Sequence, residues 1–321
     1  RYYAYAVREM SQSKWILALA KGIRERSTDF RYEMFGNQRV PLPPPEEQAA
    51  IVRFLDWANG RLERTIRAKR KVIALLNEQK QVVIHRAVTR GLDPMVPLKP
   101  SGIPWLGDVP QHWNVSRVKT EFHCLNSRRI PLSSVERGKM TQRSYDYYGA
   151  SKVIDKVDNY IFDDELLLIA EDGANLVLRN LPLAIVARGK FWVNNHAHIL
   201  KPQRGNIEYL AGYMETLNYQ PWISGAAQPK LTKDRLMSIS LAVAPPLEQD
   251  SIVKHIFKQT QPLRDVLRRT VREIECLREY RTRLVADVVT GKLDVREAAA
   301  QLPQDEMDAG SQPDGLAEDE D

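Results

Sequence analysis

At 321 residues, with 47 Lys and Arg against 41 Asp and Glu, the chain has room for two or three domains, and its 43% apolar content is that of an ordinary globular protein. Only two cysteines, Cys124 and Cys276, are present, without CxxC-type company. This excludes a disulfide scaffold and fits a reducing, cytoplasmic setting, while no run of 18 apolar residues exists to span a membrane. Charge is uneven. Residues 301–321 carry eight acids and no base, which leaves 47 bases to 33 acids, +14, on residues 1–300. A basic body points to a polyanion, most simply nucleic acid; a merely solvated basic surface is the alternative.

In chain order, residues 1–43 read as the C-terminal remnant of a globular domain. A helix-like run, Tyr2–Met10 with Trp15, precedes Lys21-Gly22 and then prolines at 41 and 43–45. The non-Met start favours a piece missing upstream. Residues 44–93 form a first helical region. Ile51, Leu55, Ala58, Leu62, Ile66, Ile73, Leu76 and Val83 recur at alternating steps of three and four, with Lys69 and Lys80 as polar breaks. Pro44-Pro45 opens it, and Asn59-Gly60 predicts an interruption, so the expected long helix covers 61–90 and is about 45 Å long.

Residues 94–243 change character and hold short β-type runs: Val115–Lys119, Lys152–Val157, Leu166–Ala170, Asn175–Leu178, Ala184–Ala187, Phe191–Val193, Ala197–Leu200 and Ser238–Val243. One helix is expected at Ile207–Tyr219. Residues 244–295 are a second helical region, with Ile252, Ile256, Leu263, Leu267, Ile274, Leu277, Leu284 and Val288 in its stripe and Gln259, Thr270 and Arg281 as breaks. Thr260-Gln261-Pro262 predicts a break before a long helix over 262–291. Residues 296–321, acidic and rich in Gly and Pro, are expected to be a disordered tail.

The two helical regions are an internal repeat. Pro44-Pro45-Glu46-Glu47-Gln48 matches Pro245-Pro246-Leu247-Glu248-Gln249, and Val88-Thr89 with Leu92-Asp93 matches Val289-Thr290 with Leu293-Asp294, at a constant offset of 201. Identical stripes are expected to bury one another, through Leu62, Ile66, Ile73, Leu76 and Val83 against Leu263, Leu267, Ile274, Leu277 and Leu284. Lys80 and Arg281, at equivalent positions, either snorkel or set the register. The expected fold class is α+β: a mixed domain plus two long helices paired as an antiparallel coiled coil.

Several motifs then carry a resemblance. Ser101-Gly102-Ile103-Pro104-Trp105-Leu106-Gly107 with Pro110 and Trp113, Asn195-His196-Ala197-His198, Gly225 with Gln228-Pro229-Lys230-Leu231, and Thr290-Gly291-Lys292-Leu293-Asp294 occur in an order that resembles the specificity (S) subunit of type I restriction–modification systems, truncated at the front to one complete target-recognition domain. The resemblance implies a DNA-binding subunit that reads a bipartite site. It also implies a helical spacer between half-sites, methyltransferase (M) subunits that carry S-adenosylmethionine, and a restriction (R) subunit that uses ATP and Mg. No cofactor is expected on this chain itself. One whole domain with both helical regions also admits self-pairing as a half-subunit.

No catalytic site is expected. No GxxxxGK[ST] occurs, and the lone Glu-x-Lys, Glu78-Gln79-Lys80, lies on a helix. His196 and His198 alternate on an expected strand but read better as core histidines than as metal ligands, and Glu171-Asp172-Gly173 reads as a turn. Candidate DNA contacts are Arg128, Arg129, Arg137, Lys139 and Arg143, with Tyr145, Tyr147 and Tyr148 beside them in a loop-rich stretch. Gln142, Asn194 and Asn195 are candidates to read adenine. Lys230, Lys233 and Arg235 form a second cluster, for which structural capping is the alternative. The rival reading from another class is a coiled-coil protein-interaction adaptor without DNA readout.

Overall fold

A computed structural model describes residues 1–19, 31–171, 175–179, 181–225 and 229–303. Its elements run α1 (Tyr2–Gln12), α2 (Trp15–Leu19), α3 (Tyr32–Gly36), α4 (Pro45–Arg90), β1 (Leu98–Pro100), β2 (Asp108–Pro110), β3 (Asn114–Arg117), α5 (Val118–Glu121), β4 (Phe122–Cys124), α6 (Ser134–Gly138), β5 (Tyr145–Tyr148) and β6 (Val153–Val157). They continue with β7 (Phe162–Ala170), α7 (Asn175–Leu178), β8 (Ala184–Val193), β9 (Ala197–Pro202), α8 (Ile207–Thr216), β10 (Ile223–Ser224), β11 (Lys230–Leu231), α9 (Lys233–Ser238), β12 (Ser240–Val243), α10 (Pro246–Val289) and α11 (Arg296–Ala300). Lys21-Gly22, Gln228 and residues 304–321 of the expected tail lie outside the described residues.

Neither expected helix break exists. α4 is one helix of 46 residues, about 69 Å at 1.5 Å per residue, and α10 one of 44 with Pro262 inside it. Gly60 costs about 1 kcal/mol in a helix interior and Pro262 about 3. Each burial of a Leu- or Ile-sized side chain returns about 1.5–3 kcal/mol. Leu55 and Ile66 are buried either side of Gly60, and Ile256 and Leu263 are half-buried either side of Pro262, so packing outweighs the local penalties. Gly91, at φ +73°, ends α4 where its backbone also passes close to the Trp113 ring, so a side chain there meets both strain and crowding.

The chain divides into two units, residues 77–264 and the remainder. In the remainder, Ile51, Leu55 and Ala58 of α4 pack with Leu284, Val285, Val288 and Val289 of α10 and with Tyr2 and Ala6 of α1. The helices are antiparallel: Glu63 pairs with Arg281 at 3.3 Å and Lys69 with Glu273 at 2.6 Å. The stripe breaks at Lys69 and Arg281 are thus interhelical ion pairs.

In the other unit, Ala87 and Val88 of α4 share a core with Ile252 of α10. Of the expected pairing residues, Ile66, Ile274 and Leu284 are buried; Leu62, Ile73, Leu76, Val83, Leu263, Leu267 and Leu277 are half-buried.

The repeat is partly preserved at its joints. Gln249 donates to the Ala244 carbonyl at 2.7 Å, and Gln48 to that of Pro43, the equivalent residue, at 2.9 Å. The Tyr209 hydroxyl of α8 donates to the Val88 carbonyl and accepts from the Ala244 N–H, both at 3.2 Å. The Tyr2 hydroxyl of α1 stands 3.0 Å from the Pro41 carbonyl and 3.5 Å from that of Val289, the counterpart of Val88. α1 thus places a tyrosine hydroxyl near one helix end as α8 does near the other, but without the donor-and-acceptor bridge.

The remaining core of residues 77–264 is a six-stranded sheet in the order β4-β9-β7-β8-β5-β6, antiparallel except for the β5–β8 pair. Strand alternation puts Leu167 and Ile169 on the face covered by α8 and α9, and Leu166 and Leu168 on the other, with Phe162, Phe191, Val193, Ala197 and Ile199. Some expectations are corrected here. Asn175–Leu178 is a helical turn, the runs at 184–187 and 191–193 are one strand, Val118 and Lys119 at the end of one expected strand belong to α5, and Ser238 at the start of another belongs to α9. Short apolar runs do not by themselves distinguish a strand from a buried helical turn.

This sheet is strongly coiled. Phe191 pairs with Phe162 at the start of β7, and Ala197 with Ala170 at its end. Six residue steps from Phe191 to Ala197 reach at most about 22 Å. On a flat sheet the eight steps along β7 already cover about 26 Å, before crossing it sideways. Only a curl that draws the two ends of β7 together permits the connection. The Phe162–Ala197 cluster, with side chains from both ends, fills the inside of that curl.

Candidate nucleic-acid interface

The curl explains what the double arginine does. Arg128 turns to the start of β7: it donates to the Ile161 carbonyl at 3.2 Å, and its guanidinium lies 4.8 Å above the Phe162 ring. Arg129 turns to the end of β7, where it pairs with Glu171. It also donates to the carbonyls of Asn126 and Asn195 at 3.2 Å and of Ala197 at 3.0 Å. Adjacent residues thus stitch the two ends of one strand, and Arg129, only 18% exposed, is occupied inside the domain.

Glu171 is the centre of this stitch. It is 11% exposed; Oε2 takes Arg129 and Oε1 takes Lys230 at 3.2 Å. Its N–H donates to the His196 carbonyl at 3.0 Å, and its own carbonyl accepts from Leu231 N–H at 2.8 Å. Burial pushes the carboxyl up, but the Arg129 hydrogen bond, the His198 charge once that ring is protonated, the Arg129 charge and the Lys230 hydrogen bond together hold it below the usual range.

His198 stands behind, fully buried, with Nδ1 3.8 Å from Glu171. Its tautomer follows from its partners. The Leu231 carbonyl at 2.7 Å can only accept, so Nε2 carries the proton. Asn126 Oδ1 accepts from Ile199 N–H, so its amide nitrogen donates to Nδ1 at 2.8 Å. Burial, ahead of the neighbouring cations, lowers the pKa of this histidine. Two sequence-distant groups of candidates, around 128 and around 230, therefore meet at one carboxylate. Asp172 and Gly173 of the expected turn lie outside the described residues, and the role of Glu171 as a shared carboxylate was not anticipated from sequence.

The other candidates group near the start of β7. The expected loop-rich stretch contains β5, and Tyr147 on it is buried, its hydroxyl accepting from Leu132 N–H at 3.1 Å. Buried there, it has no face to offer a base. Arg137 donates to Asp155 at 2.9 Å and to the Leu132 carbonyl at 2.6 Å, lying over the Tyr147 ring. Arg143, half-exposed, pairs with the same Asp155 at 3.3 Å. The N–H groups of Thr141 and Arg143 hold Asp158 at 3.0 and 2.7 Å, which keeps that carboxyl below its usual range. Lys139 and Gln142 are exposed.

Tyr145 packs on Tyr160, centroids 5.0 Å apart, and Lys190 caps Tyr160 at 4.8 Å, a cation–aromatic group not anticipated from sequence because it joins two strands and a loop.

Asn194 is buried and accepts from His196 N–H at 2.8 Å, the geometry of a turn rather than of a base reader. His196 lies in that turn, not on the strand with His198. Asn195 is exposed at its tip. Arg235 donates to the carbonyls of Trp222 and Ile223 at 3.2 Å, the capping alternative, while Lys233 is exposed in the first turn of α9. Among the described residues, no three His, Cys, Asp or Glu side chains gather as a metal site would require, and no helix is long and apolar enough to cross a membrane.

The family model described as "Type I restriction modification DNA specificity domain" matches residues 110–275. A Haemophilus influenzae protein provisionally named a type I restriction enzyme specificity subunit is 36% identical over 132 residues, 40% of this chain and 33% of that one. One from Methanocaldococcus jannaschii, also provisionally named so, is 24% identical over 317 residues, 92% of this chain and 68% of the relative. The chain thus spans a third of the first relative's length and about two thirds of the second's. A solved chain reported for complex assembly and conformational transition of the type I R-M system superposes with a TM-score of 0.56 at 15% identity, covering 89% of this chain and 70% of that one, which supports the fold.

Proposed function

Because the chain belongs to the family of type I restriction–modification DNA specificity domains, we propose that it is a non-catalytic subunit that reads DNA and directs methyltransferase and restriction subunits to a bipartite site. The supporting observation is the antiparallel association of two repeat helices with one complete α+β domain inserted between them in sequence. Paired helices of fixed length suit a spacer, since half-site separation is a geometric quantity in a two-headed reader. Exposed Lys139, Gln142, Arg143, Asn195, Lys230 and Lys233 supply the donors that phosphates and base edges accept, and Tyr145, Tyr160 and Lys190 add a cation–aromatic group.

On this reading S-adenosylmethionine belongs to the methyltransferase partner, ATP and Mg to the restriction partner, and the place of action is the cytoplasm.

Salt titration tests it. The full chain, copurified with its methyltransferase partner, is expected to bind duplex DNA with log K falling linearly in log salt, about 0.9 per phosphate neutralised. A protein-interaction adaptor would show no duplex binding even at low salt.

A further inference from the structure

We propose that Glu171 is a positioning residue of the DNA-reading surface: its buried carboxylate fixes Lys230 and, through Arg129, the Asn195 turn in one arrangement that distinguishes a target from other DNA. This rests on the reading that the domain binds DNA.

The geometry carries it. One carboxylate is shared by two cations, Arg129 on Oε2 and Lys230 on Oε1 at 3.2 Å, each from a different part of the chain. Arg129 is turned inward and hands the constraint on to the carbonyls of Asn195 and Ala197. Lys230, by contrast, is 50% exposed, so its ammonium is anchored on one side and faces solvent on the other. Asn195 is exposed at the tip of the turn that Arg129 holds. Glu171 itself is too enclosed to meet DNA, and its negative charge would repel phosphate if it did. Its backbone is fixed independently of the carboxylate, by the His196 carbonyl and the Leu231 N–H. Removing the charge should therefore release the two cations from each other while leaving the strand end in place.

That separation gives a signature that a general structural role lacks. Glu171→Gln removes one negative charge from a DNA-facing region, so affinity for arbitrary duplex is expected to stay equal or rise. Affinity for the preferred duplex is expected to fall about tenfold, because the neutral amide no longer holds Lys230 and Arg129 together. A misfolded domain would lose both affinities, and a bystander charge would raise both.

The probe is a duplex selected by the wild-type complex from a random-sequence pool, set against a shuffled duplex of equal length. The protein is the full chain with its methyltransferase partner. Lys230→Ala is expected to lower the ratio of selected to shuffled affinity in the wild-type background and to change it less than twofold in the Glu171→Gln background. Glu171→Asp, which keeps the charge, is expected to retain most of the ratio.

An unchanged ratio in Glu171→Gln, or effects of Glu171→Gln and Lys230→Ala that multiply fully, overturns the proposal. If Glu171→Gln does not fold, Lys230→Ala alone must lower the ratio, and its failure to do so overturns the proposal equally. Wild-type complex that binds no duplex at all overturns the DNA reading itself, a result distinct from wild type that discriminates while the variants discriminate as well.

Discussion

At the residue scale, the polar groups that matter are those whose hydrogen bonds have no substitute. Tyr209 is buried and its hydroxyl serves two backbone groups, one on α4 and one just before α10. Tyr209→Phe leaves the Val88 carbonyl and the Ala244 N–H without that partner. We expect a loss of about 1–3 kcal/mol by denaturant titration.

His198 and Glu171 make stability fall on acidification in two stages. The folded-state pKa of His198 lies below its ordinary 6.5. Its contribution is therefore complete above pH 6.5 and is lost as pH falls through the lower folded value. A proton on Nδ1 would also face the Asn126 amide donor. Glu171 likewise lies below its ordinary 4.5, so its contribution is lost only as pH falls below that. Denaturant midpoints between pH 7.5 and 3.5 are expected to decline from about 6.5 downward. His198→Gln is expected to flatten the first stage, and Glu171→Gln the second.

At the element scale, the long helices show where local rules yield. Pro262 breaks one hydrogen bond of α10 yet the helix runs through. If packing carries it, Pro262→Ala is expected to stabilise the protein, by up to about 3 kcal/mol, read as a raised Tm. The interhelical ion pairs are worth less, about 0.2–1 kcal/mol each at such exposure. Lys69→Glu is expected to destabilise slightly and to be restored by Glu273→Lys in the same chain, measured by a double-mutant cycle.

These helices were legible because apolar positions every three or four residues, repeated at one offset, encode both helix and partner. The break at Gly60 was misread because a propensity penalty is local and the compensating burial of Leu55 and Ile66 is not. The strand error at 175–178 has the same origin, four residues being too few for a period to declare itself.

At the scale of the whole molecule, the family, the fold class and the pairing of helices could be read from order and repetition of motifs. The curl of the sheet could not, because it follows from which residues of β7 meet Phe191 and Ala197, a register that no neighbouring letters specify. The candidate site was accordingly half visible. The cations were found, but which of them face inward depends on the curl. Arg129 turns inward onto Glu171, whereas Arg128, although it also touches Ile161 and Phe162, stays exposed.

The double arginine also sets a tolerance for change. Its two grips are one peptide unit apart, 3.8 Å, and serve opposite ends of a strand. Inserting a glycine between Arg128 and Arg129 is expected to unfold the domain or lower its Tm sharply, whereas the same insertion after the exposed Lys139 is expected to shift it little. On the proposed DNA-reading role, drift toward new targets would then accumulate in the span 139–144 and around 158–160, and spare the dipeptide at 128–129. If the chain reads DNA as proposed, descendants that read other sequences should keep their hinge pins while exchanging their fingertips.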